Sequence, residues 1–149
     1  MIDAAAEAWR EPALLTRSAV AIVLPPFAPM GRTGEGAFMT IESALALHEL
    51  GVPFALSAHG NTNTGNSLGR QASWAMRGEL PFDAALEAVT IGAARLIGVD
   101  DSVGSLEVNK TTDLVLWSGE PFEASSAVIG VLVDGRLVLD PRASAEKAD

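Results

Sequence analysis

The sequence contains no cysteine. That absence excludes a disulfide-bonded scaffold, a zinc–thiolate site and a cysteine nucleophile. Histidine is scarce as well, since His48 and His59 are the two in the chain. A catalytic zinc needs about three protein ligands, so a metal centre at either histidine would need ligands from elsewhere.

Positive charge is also in short supply: 10 Lys and Arg stand against 19 Asp and Glu, for a net charge of −9. Such an acidic surface repels phosphate backbones and anionic lipids, which argues against nucleic acid or a membrane as a partner. The longest apolar run, residues 19–27, is interrupted by Pro25 and Pro26 and is too short to cross a bilayer. The N-terminus lacks the basic flank of a signal peptide, so we expect a cytoplasmic protein.

What the sequence has is apolar material: 48% of its 149 residues are hydrophobic, enough for the core of one ordinary domain. Residues 18–24 and 52–57 are apolar almost throughout, which is typical of parallel strands buried on both faces. Helical spacing predicts helices over residues 4–15, 37–50, 67–77 and 81–98. We expect Pro12 to split or end the first helix, Gly92 to interrupt the last and Gly98 to end it.

Beyond Gly98 the pattern changes to short strands, which we expect at residues 105–108, 113–117, 127–133 and 136–139. Asp134 and Gly135, between the last two, form a strong hairpin signal. The sequence therefore predicts an α/β segment over residues 1–98, a small antiparallel β segment over 99–140 and a flexible tail over 141–149. Two parallel strands cannot close a barrel, which needs about eight, so the first segment is part of a larger architecture.

The polar loop over residues 60–67 has the spacing of a phosphate-binding loop and lies between a predicted strand and a predicted helix. Asn66 stands where that loop needs a lysine to neutralise phosphate charge. A small phosphate or nucleotide binder is therefore a weak alternative, and a turn rich in glycine and asparagine is the simpler interpretation. We assign Asn61, Asn63 and Asn66 as candidate substrate-loop residues.

The two histidines differ in their predicted positions. His48 falls on the apolar side of a predicted helix, which indicates a half-buried packing residue. His59 follows a buried parallel strand, at the carboxyl end where α/β proteins carry ligand and metal groups. Structural and functional interpretations of His59 are equally open on these grounds.

Residues 103–115, V-G-S-L-E-V-N-K-T-T-D-L-V, resemble the segment that ends metal-dependent amidohydrolases of the imidazolonepropionase-like family. Upstream, residues 84–98 are similar to that family's last barrel helix, and residues 131–138 to its closing hairpin. Asn109 takes a position that is usually glycine, and asparagine also tolerates the left-handed conformation. Thr112 stands where the family usually has alanine.

The resemblance implies a fold: the last strands and helices of a TIM-type (β/α)8 barrel over residues 1–98, followed by part of a small β-sandwich. Members of the family hydrolyse non-peptide, often cyclic C–N bonds with water activated by zinc or iron. Their aspartate after the last strand is replaced here by His59, in A-L-S-A-H. The resemblance therefore implies His59 as the catalytic base and as a metal ligand.

The function that the resemblance implies is that of an amidohydrolase fragment or subunit, inactive alone. A complementary chain would carry the rest of the barrel and most metal ligands, and the substrate would be a small amide-like molecule. The alternative is a non-catalytic subunit that retains only the scaffold.

Overall fold

The first sheet is built from short, strongly apolar strands that run parallel. A computed structural model describes residues 1–3, 6–27, 40–58 and 68–139. In it, β1 (Ile2–Asp3), β2 (Ile22–Leu24) and β3 (Phe54–Leu56) pair in the order β1-β2-β3, with Ile22 opposite Phe54. The predicted strands at β2 and β3 are confirmed. β1 was not predicted, because two residues are too few to show a pattern.

Helices cover the sheet: α1 (Pro12–Ser18), α2 (Ser43–Glu49), α3 (Leu68–Arg77), α4 (Phe82–Val89) and α5 (Ile91–Ile97), with a 3-10 turn at Ala8–Arg10. Ile22, Leu24 and Leu47 are fully buried in the core between them. The helices contribute mostly small side chains to that core, which allows close approach to the sheet: Ala44, Ala72, Ala75, Ala85 and Ala88.

The first predicted helix, over residues 4–15, is wrong in its bounds. The predicted split at Pro12 is present: a 3-10 turn at Ala8–Arg10 precedes it and α1 begins at Pro12, since a proline at a helix start loses no needed N–H group. The helix continues to Ser18 and ends with Ala19 in the left-handed region, at φ 48°. Part of the apolar run 18–24 is therefore the end of a helix, and the strand itself is three residues long.

The break in the last predicted helix lies at Thr90 and not at Gly92. Thr90 has φ −131° and ψ −110°, and its hydroxyl donates to the Leu86 carbonyl at 2.6 Å. Gly92 lies inside α5, where a Cβ atom would stand 2.7 Å from the Glu87 carbonyl oxygen. Glycine is thus needed for the close approach of α5 to the end of α4. Gly98 ends α5 with φ 72°, as predicted.

The second sheet is antiparallel and consists of β4 (Leu114–Trp117), β5 (Val128–Val133) and β6 (Arg136–Leu139). The predicted hairpin is confirmed: Asp134 and Gly135 have φ values of 50° and 72°, the positive pair that a two-residue turn of this type requires. The Asp134 N–H donates to the Asp113 carboxylate at 2.7 Å. This bond fixes the hairpin turn to the residue that begins the D-L-V part of the motif.

The predicted strand at residues 105–108 is wrong. That segment runs from a bend at Ser105 to a turn at Val108 without strand pairing, and Leu106 and Val108 are 83% and 90% exposed. Lys110 Nζ donates to Ser105 Oγ at 2.7 Å, and Ser105 Oγ donates to Glu107 Oε1 at 2.7 Å. Asn109 has φ 73°, which confirms its predicted conformation. Side-chain bonds to nearby residues shape this connection, in place of a β ladder.

Every helix within the described ranges is too short, or too polar, to traverse a lipid bilayer.

Candidate functional site

The sequence-predicted site residues fall in parts of the chain that the structure does not describe. His59, Asn61, Asn63 and Asn66 lie in residues 59–67, outside the described ranges, together with the whole phosphate-loop motif. The predicted tail over residues 141–149 is also outside them. The roles assigned to these residues therefore stay predictions.

The described residues nearest to that segment surround the carboxyl ends of β2 and β3. Leu24 and Leu56 are paired as the last residues of the two strands. Directly after β3, the buried Ser57 donates its hydroxyl to the Leu24 carbonyl at 2.8 Å. Functional groups of α/β barrels project from this edge of the sheet. The Ser57 hydroxyl therefore links the carboxyl ends of β2 and β3. In the sequence, Ser57 precedes His59 by two residues.

A second buried contact at this edge joins β2 to α3. Gln71, fully buried on α3, accepts a hydrogen bond from the Phe27 N–H at 2.6 Å, and its Nε2 lies 3.5 Å from the Phe27 carbonyl oxygen. Sequence reasoning missed Gln71 because its partner is 44 residues away. A signal was available: it is the one glutamine of the chain, and it stands next to Ala72 in the predicted helix over residues 67–77.

His48 is at the other end of the sheet, and its prediction as a half-buried packing residue is wrong. It is exposed near the end of α2, whose buried positions are Ser43, Ala44 and Leu47. His48 borders a cavity of about 610 Å³ together with Gly51 and Pro53, which precede β3. Because Pro53 stands before the first residue of β3, this cavity lies at the amino ends of the strands, away from Ser57.

A larger cavity of about 860 Å³ lies between α4 and α5 on one side and the second sheet on the other. Its walls are mainly apolar, and two aromatic contacts form one end: Phe122 lies 6.1 Å from Phe82 and 6.2 Å from Trp117, ring centre to ring centre. Arg95 and Glu87, which line it, form a 2.7 Å ion pair that is about half exposed. Exposed pairs of this kind contribute little to stability.

The titratable groups with a clear role in the described part are structural. The hydrogen bond from Ser105, and then the positive charge of Lys110, lower the pKa of the exposed Glu107 carboxyl. Lys110 is itself only 10% exposed and lies 3.6 Å from that carboxylate. These three residues stabilise the connection between the two sheets and lie on the motif that carried the resemblance.

The described residues do not fit a metal ion. Within residues 1–3, 6–27, 40–58 and 68–139, nowhere do three or more His, Asp or Glu side chains come together in a way that could hold one. Since a catalytic zinc takes about three protein ligands, this part of the chain does not make a metal centre of its own.

Comparison with known proteins gives a consistent family. The sequence model described as "Amidohydrolase family" matches residues 39–138. The urease subunit alpha of Yersinia pestis (strain Pestoides F) is 32% identical over 124 residues, which cover 70% of this chain and 22% of the urease subunit.

Solved structures agree with that result. An amidohydrolase from Thermotoga maritima superposes with a TM-score of 0.86 and 30% identity, over 93% of this chain and 36% of its own. An adenosine deaminase from Xanthomonas campestris, solved with bound zinc, has a TM-score of 0.58 and 22% identity, again over 93% of this chain and 38% of its own. The chain thus spans less than two fifths of the length of each of these relatives.

Proposed function

Because this chain belongs to the amidohydrolase family, we propose that it supplies the final strands and helices of a (β/α)8 hydrolase barrel. The observation that carries the proposal is the superposition on the Thermotoga maritima amidohydrolase, which spans nearly all of this chain but 36% of the other. Three parallel strands in one sheet agree with this, since such a barrel has eight.

We assign residues 1–98 to the barrel, residues 99–140 to a small β-sandwich and residues 141–149 to a tail. The change from a parallel to an antiparallel sheet supports this division, since it falls after Gly98. The left-handed Gly98 and Gly104 turn the chain between the two parts, and a Cβ on Gly104 would stand 2.9 Å from Ile91 Cα.

The partner we propose is a polypeptide that carries the rest of the barrel. Neither β1 nor β3 has a second neighbouring strand within the described residues, and Ile2 of β1 is 47% exposed. Parallel strands are normally covered on both faces and paired at both edges. We therefore propose that the chain alone is inactive. We also propose that it is located in the cytoplasm.

The reaction we propose is hydrolysis of a non-peptide C–N bond in a small amide-like substrate. The relatives' names include a urease subunit and an adenosine deaminase. A bound zinc or iron ion would supply activated water, with most of its ligands on the partner polypeptide. This chain contributes His59 as a candidate ligand and base, and Ser57 and Gln71 form hydrogen bonds at the carboxyl edge of the sheet that precedes it in the sequence.

Replacement of His59 tests this assignment, and His48 provides the matched control because it is exposed at the opposite end of the sheet. In the protein purified from its native source, we expect His59→Ala to lower C–N hydrolysis by at least about 10²-fold, the effect of losing a general base. His48→Ala should keep full activity. Equal activity in both variants would contradict the role of His59, and no hydrolysis in the unmodified protein would favour the non-catalytic scaffold.

A further inference from the structure

The end of β2 presents a problem of hydrogen bonding. Pro25 and Pro26 follow Leu24 directly and have no N–H group. Phe27 therefore carries the first N–H donor after the strand, and Phe27 is 3% exposed. A buried N–H without an acceptor is costly, so this donor requires a partner from within the protein.

Gln71 provides that partner. Its Oε1 accepts the Phe27 N–H at 2.6 Å, and its Nε2 lies 3.5 Å from the Phe27 carbonyl oxygen. A carboxamide has one acceptor and one donor side by side, as a peptide group does. Gln71 therefore takes the hydrogen-bonding role that the backbone of a neighbouring strand would have. It does so where Pro25 and Pro26 end the hydrogen-bonded ladder of β2.

The position of Gln71 is itself fixed. Its neighbours on the buried face of α3, Ala72 and Ala75, have no exposed surface, and such small side chains leave the helix little room to shift. At the same edge, the Ser57 hydroxyl binds the Leu24 carbonyl at 2.8 Å. Two side chains thus continue the bonding of β2, one from the residue that follows β3 and one from α3.

We propose that Gln71 is a positioning residue, which fixes the path of the chain leaving β2 relative to α3 at the carboxyl edge of the sheet. Residues 28–39 begin directly after Phe27, and residues 59–67 end directly before α3, the helix that carries Gln71. The bond therefore links the chain that leads into the first of these connections to the helix that follows the second. The consequence for catalysis rests on the proposed function, whereas the bond and its effect on Phe27 do not.

The test is amide hydrogen exchange by NMR on the full 149-residue chain, in the unmodified protein and in two variants. Gln71→Met keeps the side-chain volume but removes both polar groups. We expect it to speed exchange of the Phe27 amide at least about tenfold and to move its proton resonance upfield. The Ile22 amide, bound to the Pro53 carbonyl at 2.9 Å, is the internal reference and should change little.

Gln71→Glu is the conservative rescue, measured at acid pH, where a neutral carboxyl still accepts the Phe27 N–H and offers an O–H to the Phe27 carbonyl. We expect it to restore most of the protection at Phe27. The control Leu80→Ala removes a buried side chain beyond the far end of α3 and should change Phe27 and Ile22 exchange together.

Two results would overturn the proposal. In the first, Gln71→Met leaves Phe27 exchange unchanged. In the second, it speeds Phe27 and Ile22 exchange equally, as Leu80→Ala does, which would make Gln71 a packing residue. Because neither readout uses activity or metal, a negative result here is separate from a failure of the C–N hydrolase assignment.

Discussion

At the scale of single residues, hydrogen bonds between residues far apart in the sequence hold the carboxyl edge of the first sheet together. Gln71 and Phe27 are 44 residues apart, and Ser57 and Leu24 are 33 apart. No spacing in the sequence brings such pairs together, so the sequence predicted the strand ends but not the side chains that hold them. His59 was identified by its place after a strand, which is a local signal.

A prediction at this scale concerns Gly92. A methyl group there would stand 2.7 Å from the Glu87 carbonyl oxygen, a backbone atom that cannot move without disturbing the α4–α5 junction. We expect Gly92→Ala to lower the free energy of unfolding by about 1–3 kcal/mol, as overpacking does. Chemical denaturation measures this directly.

Gly69 is the matched control, because it also lies in a helix but a Cβ there would meet Phe122 and Trp117 at an ordinary 3.7 Å. Gly69→Ala should leave stability unchanged or raise it, since alanine favours helices. A Gly92→Ala protein as stable as Gly69→Ala would show that the junction has room for a side chain.

At the scale of elements, the strands that the sequence predicted well are those with continuous apolar runs, β2 and β3. The failure at residues 105–108 is informative, because Leu106 and Val108 alternate with polar residues as in a strand. Both side chains are exposed, and the turn is held by Lys110, Ser105 and Glu107. Alternation therefore misled here because the polar side chains bind one another locally.

This connection has a pH dependence. The Ser105 hydrogen bond and the Lys110 charge lower the pKa of Glu107 in the folded state. A lowered carboxyl pKa adds stability above the pKa of the unfolded chain, and that contribution is lost as the pH falls through the folded pKa. We expect Glu107→Gln to lower the free energy of unfolding at pH 7. At a pH below the folded pKa of Glu107, where this carboxyl is protonated in both states, the substitution should change it little.

Chemical denaturation of the unmodified protein and of Glu107→Gln, each at neutral and at acid pH, measures this difference in stability. Glu120→Gln, an exposed glutamate on the β4–β5 connection, serves as the control for a general loss of charge. A Glu107→Gln effect that is the same at both pH values, or is matched by Glu120→Gln, would show that the turn does not depend on the ionised carboxylate.

At the scale of the whole molecule, the second sheet presents several exposed apolar side chains within the described residues. All four residues of β6 are exposed, among them Leu137 at 55% and Val138 at 61%, and Val115 of β4 is 51% exposed. Exposed apolar side chains on one small sheet offer a surface for contact with other polypeptide. The proposed completion of the barrel rests instead on the first sheet, where β1 and β3 each lack a second neighbouring strand within the described residues.

The measurement that tests this account most directly is molar mass in solution, with elemental analysis for metal, on the protein purified from its native source. We predict a complex or longer polypeptide that includes the rest of the barrel and holds zinc or iron close to stoichiometry. A metal-free, compact monomer of 15.5 kDa that binds no hydrophobic dye would contradict the account, since its strands would then need no further partner.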